Sequence, residues 1–223
     1  MTITLIFMAV IMIVVAGWLL RQTVDTQPWE ASAKYASSED FSGRSLRLPD
    51  AKLGLYVFLA VITSLFSLFI SAYMMRMNLG DWRPLSEPDL LWLNTGVLML
   101  SSIALQWAHV SAKRESPEGV RNALLAGGFF AFVFMIGQLL AWQELIEAGY
   151  FAQSNPANAF FYLITGLHAV HLIGGLVAWS MATIRLMGGA EVSKIRASIE
   201  LCAIYWHFLL VVWVILFGVM LST

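Results

Sequence analysis

FFYLITGLHAVHLIGG, residues 160–175, is a run apolar enough to cross a membrane that nevertheless carries Tyr162, Thr165, His168 and His171. On a helix of about 3.6 residues per turn, the pairs 165/168 and 168/171 fall on one side. Buried polar groups in hydrocarbon need partners, so that side must meet another helix, water or a lipid headgroup.

The rest of the chain makes a membrane setting necessary. Of 223 residues, 59% are hydrophobic and only 12% charged, and the mean hydropathy of +0.75 is far above that of an ordinary soluble domain. A net charge of −1 gives no electrostatic case for nucleic acid. The single cysteine, Cys202, excludes an intrachain disulfide and any multi-cysteine metal or iron–sulfur site.

Six apolar runs predict six transmembrane helices in an all-α polytopic bundle: Ile3–Leu20, Leu53–Met75, Leu90–Ala112, Val120–Glu144, Ala159–Leu186 and Ser198–Leu221. The first reads as a spanning helix rather than a cleaved signal peptide, since no basic segment precedes it and no small-residue cleavage site follows it before Arg21. The domain reading is an N-terminal helix over 1–22, a polar connection over 23–52 and a five-helix core over 53–223. Gly188-Gly189 ends the fifth run, and Gly127, Gly128 and Gly137 give the fourth small faces that admit close neighbours. No internal repeat is visible. Eleven of the 13 lysines and arginines lie in the odd-numbered connections, which puts those connections in the cytoplasm and both termini outside.

The polar positions each have a plain structural reading beside a functional one. The four histidines are His109, His168, His171 and His207. His171 and His207 differ in depth by roughly 9 Å at about 1.5 Å per residue, a poor match for one shared metal. His168 and His171 lack a carboxylate on their own span to complete an ion site. Helix-to-helix hydrogen bonding or lipid contact is therefore favoured over ligation. Glu147 reads as an interfacial carboxylate, Glu200 lies near the cytoplasmic start of the last span, and Glu144 could share a packing face with Gln138. Trp29, Trp82, Trp92, Trp107, Trp142, Tyr150 and Trp179 fit an interfacial aromatic belt. Met74, Met75 and Met77 read as packing rather than a copper relay, because no second methionine cluster faces them.

FFYLITGLHAVHLIGG (160–175) followed by YWHFLLVVWVILF (205–217) resembles the last two helices of subunit III of haem–copper respiratory oxidases. The likeness runs back through Gln138 to Glu144, Ser101-Ser102 and Phe58-Leu59 to Tyr73, and so covers about Leu53 to the C-terminus. Two positions depart from the family's pattern. Ile62 stands in FLAVITS where the family carries a buried, carbodiimide-reactive glutamate, and Leu210 stands in WHFLLVVW where it often carries aspartate. Whatever proton handling those acids serve does not transfer to this chain.

The resemblance implies a subunit of an oxidoreductase complex without an active site or cofactor of its own. Haem and copper are then expected in a partner catalytic subunit I, with subunit II alongside, and phospholipid in a cleft between helices. The location implied is a bacterial plasma (inner) membrane. The residues expected to touch lipid or a neighbouring subunit are Tyr162, Thr165, His168, His171, Glu200, Trp206 and His207. Two other readings stay open: a related protein associated with nitric oxide reduction, made more credible by the missing acids, and a stand-alone transporter, which predicts broken helices and an inverted repeat.

Overall fold

The structure, a computed structural model, describes residues 47–84 and 88–222. The expected first span Ile3–Leu20, Trp29 and most of the first connection lie outside the described residues. Within them the chain forms five helices joined by short links: α1 Arg47–Arg76, α2 Leu90–Lys113, α3 Pro117–Glu147, α4 Pro156–Met187 and α5 Val192–Leu221. All five are long and apolar enough to cross a membrane, and all five match an expected run. The family resemblance and these spans agree on an integral membrane protein.

Hydropathy placed the helix bodies but not their ends. α3 starts at Pro117 rather than Val120 because Ser116 caps it, its hydroxyl accepting from Gly119 N at 3.3 Å with proline in the first turn. α4 starts at Pro156 for the same reason, Asn155 accepting from Ala157 N at 3.2 Å. α1 and α5 begin at Arg47 and Val192, ahead of the expected Leu53 and Ser198, since backbone hydrogen bonding continues through Lys52, Lys194 and Arg196 where hydropathy falls. α4 stops where the glycine pair predicts, Gly189 taking φ +82°, a left-handed conformation that disfavours other residues.

Contact density divides the chain inside α1, into Met1–Ser67 and Leu68–Thr223. In the first unit, α1 folds its hydroxyls back on itself: Thr63 donates to Leu59 O at 2.8 Å and Ser64 to Ala60 O at 3.0 Å. That spares the lipid side an unsatisfied group. Ile62, in the glutamate position, is buried.

In the second unit α2 packs most closely on α3 and also on α5, while α4 packs on α5 and α3, so the four helices close a ring. Its centre is aromatic. Trp206, Trp213 and Phe134 are all but inaccessible, as are Leu98, Leu105, Leu124 and Leu209. Small residues let the helices approach. The fourth expected span's glycines do so by seating side chains: Leu105 over Gly127, Trp179 over Gly128 and Asn94 over Gly137.

Candidate functional site

A polar network runs through the apolar interior of the second unit. Its middle is an aromatic box around His168. The imidazole lies 5.1 Å from the Trp213 ring of α5 and 6.2 Å from the Phe134 ring of α3, and Phe134 meets Trp213 edge-on at 5.1 Å. Trp213 Nε1 donates to Thr95 Oγ1 at 2.9 Å, and Thr95 passes its own proton to Leu91 O at 2.8 Å. One indole thus satisfies a hydroxyl on α2 while holding a histidine on α4.

Beside this box, Asn94 Nδ2 donates across to Phe134 O at 3.1 Å, with Gln138 Oε1 at 3.5 Å. The missing side chain of Gly137 makes room, because a Cβ there would lie 2.2 Å from Asn94 Oδ1. Ser101 donates to Gly127 O at 2.8 Å. The bonds to Phe134 O and Gly127 O each join a side chain to a backbone carbonyl on a neighbouring helix that small residues leave open. Gln138 is buried and Glu144 exposed, so the packing face those two could have shared is not formed.

The residues singled out on α4 and α5 do not gather in one place. Near the start of α4, Thr165 accepts from Trp142 Nε1 at 3.2 Å and donates to Phe161 O at 2.6 Å. Tyr162 donates to Tyr150 O at 3.0 Å. His171 is half-buried, its Nδ1 2.8 Å from Leu167 O, and its own carbonyl accepts from Tyr205 at 2.9 Å. Trp206 lies over Gly175, where a Cβ would meet its ring at 2.7 Å. Glu200 is half-buried on the first half of α5.

His207 turns the other way, to α2. Its Nδ1 meets Ser102 Oγ and its Nε2 lies 3.0 Å from Gln106 Oε1. With Nε2–H donating to the amide oxygen, Nδ1 accepts from the serine, a tautomer assigned from the network. His207 is therefore separated from the α4 histidines by facing a different helix, a stronger reason than the depth difference read from sequence. Among the described residues no three His, Cys, Asp or Glu side chains come together in a way that could hold a metal.

Thr165, His168 and Trp206 were expected against lipid or another subunit, yet each is 0% exposed. They are enclosed by the chain's own helices. Tyr162, His171, Glu200 and His207 keep partial access. Trp179 leaves the expected belt: its ring lies over Gly128 and its Nε1 donates to Leu124 O at 2.8 Å. Sequence reasoning passed over Asn94, Thr95, Tyr205, Gln106 and Asn155. Asn94 and Gln106 were visible as amides within an apolar run, whereas the partners of Thr95 and Tyr205 lie on another helix and leave no local mark.

At one end of the unit, the α1–α2 and α3–α4 links border an open cleft of about 620 Å³ lined by Asp81, Arg83, Gln153 and Asn155. Arg76 Nη1 donates to Asp81 Oδ1 at 2.6 Å, and this hydrogen bond holds the Asp81 carboxyl below its usual range. Asp81 is exposed and Arg76 partly so, so the pair is a weak surface contact. Asn155 exchanges hydrogen bonds with the Arg83 backbone, donating to Arg83 O and accepting from Arg83 N at 3.4 Å.

The family described as Cytochrome c oxidase subunit III matches residues 39–222. Among similar proteins, the Cytochrome c oxidase subunit 3 of Corynebacterium diphtheriae is 28% identical over 173 residues, 74% of this chain and 84% of that protein. That of Thermostichus vulcanus is 30% identical over 179 residues, 76% of this chain and 86% of that protein.

Proposed function

Because the chain belongs to the cytochrome c oxidase subunit III family, we propose that it is a non-catalytic integral-membrane subunit of a haem–copper terminal oxidase in a bacterial plasma membrane. In this reading it braces a catalytic subunit I, in the company of subunit II, and holds phospholipid against its helices. Haem and copper belong to the partner. The observation that carries the proposal is the disposition of the interior polar groups. Asn94, Ser101, Thr165, Trp179 and Trp213 are spent on helix-to-helix hydrogen bonds, which is the chemistry of a rigid packing partner rather than of a reaction centre.

Contact with lipid or a neighbouring subunit then falls to the partly accessible Tyr162, His171, Glu200 and His207. Thr165, His168 and Trp206 act from inside, keeping α3, α4 and α5 in register. A second reading, an accessory protein of nitric oxide reduction, draws its support from Ile62 and Leu210, which replace the intramembrane acids of the resemblance.

Purification of the complex from native membranes tests the proposal. A haem–copper subunit is expected to co-purify, with oxygen turnover exceeding nitric oxide turnover. Recovery of the chain with no haem-bearing partner would sink the assignment, and dominant nitric oxide turnover would replace it with the second reading.

A further inference from the structure

Most outward side chains on the spans are what hydrocarbon asks for. α3 turns Leu125, Phe129, Phe132, Ile136 and Leu139 outward, each between 43% and 63% exposed, and all are apolar. α2 has the same spacing but different chemistry. Trp92, Gly96, Met99, Ile103, Gln106 and Val110 recur, like the α3 residues, at alternating steps of four and three, the spacing by which one helix seats against another at a shallow angle, and they include a glycine and an amide. Trp92, Met99 and Ile103 are 59%, 42% and 65% exposed. A Cβ built on Gly96 meets nothing within 4 Å. α5 touches this stripe only at Trp92, through Phe217, and at Gln106, through His207, and Gly96, Met99 and Ile103 between them stay exposed.

Gln106 is what sets the stripe apart from a lipid-facing one. It is exposed, and it stands seven residues before Lys113 at the end of the 24-residue α2. At about 1.5 Å per residue, α2 spans about 36 Å against a hydrocarbon core of about 30 Å, which places the amide roughly 7 Å inside the hydrocarbon. His207 occupies the amide oxygen and Ser102 fixes the imidazole, so the side chain is held in place. The amide nitrogen makes no hydrogen bond among the described residues. Turning the amide over exchanges which end faces outward and leaves the same need. Lipid tails offer neither a donor nor an acceptor, and an unmet polar group there is costly.

We infer that the Trp92–Val110 stripe of α2 receives one transmembrane helix of another subunit of the complex, with Gln106 fixing the register by bonding to a polar group on that helix. The occupant is an apolar helix carrying a hydroxyl, amide or open backbone carbonyl at the depth of Gln106. A single polar residue within a heptad-spaced seam is a known means of setting register. The inference rests on the subunit assignment above and names the face through which that assembly forms.

Photo-crosslinking in the intact complex tests it, with p-benzoyl-phenylalanine replacing Ile103 in one variant and Phe132 in another. Both positions are exposed. Ile103→p-benzoyl-phenylalanine is expected to join an apolar, membrane-embedded peptide of a second, identified subunit of the purified complex, while the Phe132 variant joins lipid. A crosslink to lipid at both positions, to a second copy of this chain, or to Ile3–Leu20 of the same chain would overturn the inference. If a haem-bearing partner still co-purifies in those cases, the subunit assignment stands without this interface; if no partner is recovered, both fall. In the same complex, Gln106→Leu is expected to reduce partner retention in detergent by about threefold to tenfold, the size of one intramembrane polar contact. Unchanged retention would remove Gln106 from the register role.

Discussion

A Cβ added to Gly128 would lie 2.0 Å from Cζ2 of Trp179, closer than any real contact allows. The indole occupies the space that a side chain would fill, and from there its Nε1 reaches Leu124 O, a carbonyl one turn earlier on α3 that only a bare glycine leaves open. Gly128→Ala must push the ring away and break that bond. Overpacking of this kind costs about 1–3 kcal/mol, and a stranded indole N–H adds roughly 1 kcal/mol. Gly218 is the control, since a Cβ there meets nothing within 4 Å and alanine is the better helix former. In mixed-micelle denaturation followed by circular dichroism, Gly128→Ala is expected to lower the unfolding midpoint clearly and Gly218→Ala to leave it equal or higher. Equal midpoints for the two variants would mean that the Trp179 seat carries no stability. The sequence displayed half of this contact. Gly128 is legible as a close-approach position, but Trp179 reads as one more tryptophan at a span end, because nothing local tells an indole that faces lipid from one that folds onto the next helix.

The same division holds for whole helices. The bodies of α1 to α5 follow from runs of apolar residues, because a backbone in hydrocarbon has only the helix to satisfy it. Their ends follow from capping chemistry instead, and hydropathy is blind to Ser116-Pro117 and Asn155-Pro156. Asn155 also does more than cap. Its oxygen serves Ala157 N and Arg83 N while its nitrogen serves Arg83 O, so one residue starts α4 and ties the α3–α4 link to the α1–α2 link. Which loop a cap reaches across to is set by the packed bundle, which is why only the cap was legible. Asn155→Ala removes the cap, worth about 1 kcal/mol, together with two exposed loop bonds at the low end of about 0.5–1.5 kcal/mol each. Asn155→Asp keeps both acceptor roles and loses only the donor. The alanine variant is therefore expected to be destabilised by about 2 kcal/mol and the aspartate variant by less than half of that. Protease cutting of the two links provides a second measurement, and it should accelerate in the same order. An aspartate variant as weak as the alanine one would shift the weight from the cap to the Arg83 carbonyl.

Across the second unit, these contacts also sort the helix ends. The Arg83–Asn155 bond sets the α1–α2 and α3–α4 links side by side, and the Trp92 and Phe217 rings, 4.9 Å apart, bring the end of α5 to the start of α2. Trp179 reaching back to Leu124 joins the last part of α4 to the first part of α3 at the opposite end. Each helix therefore runs against the next, as alternating membrane crossings require. The basic residues divide along the same line. Lys113, Arg114, Arg121, Arg185, Lys194 and Arg196 lie at the α2–α3 and α4–α5 end, whereas the other end holds Arg76, which is paired with Asp81, and Arg83. Lysine and arginine near short loops are retained on the cytoplasmic side during insertion, so the α2–α3 end should be cytoplasmic and the cleft beside Asn155 external. Single cysteines decide this, in a Cys202→Ala background that removes the buried native thiol. Gln153→Cys is expected to react with a membrane-impermeant maleimide on intact cells, and Glu118→Cys only after the membrane is opened; both positions are exposed. The reverse pattern would invert the whole bundle. It would also show that the six basic residues are held at their end by a partner and not by the insertion rule.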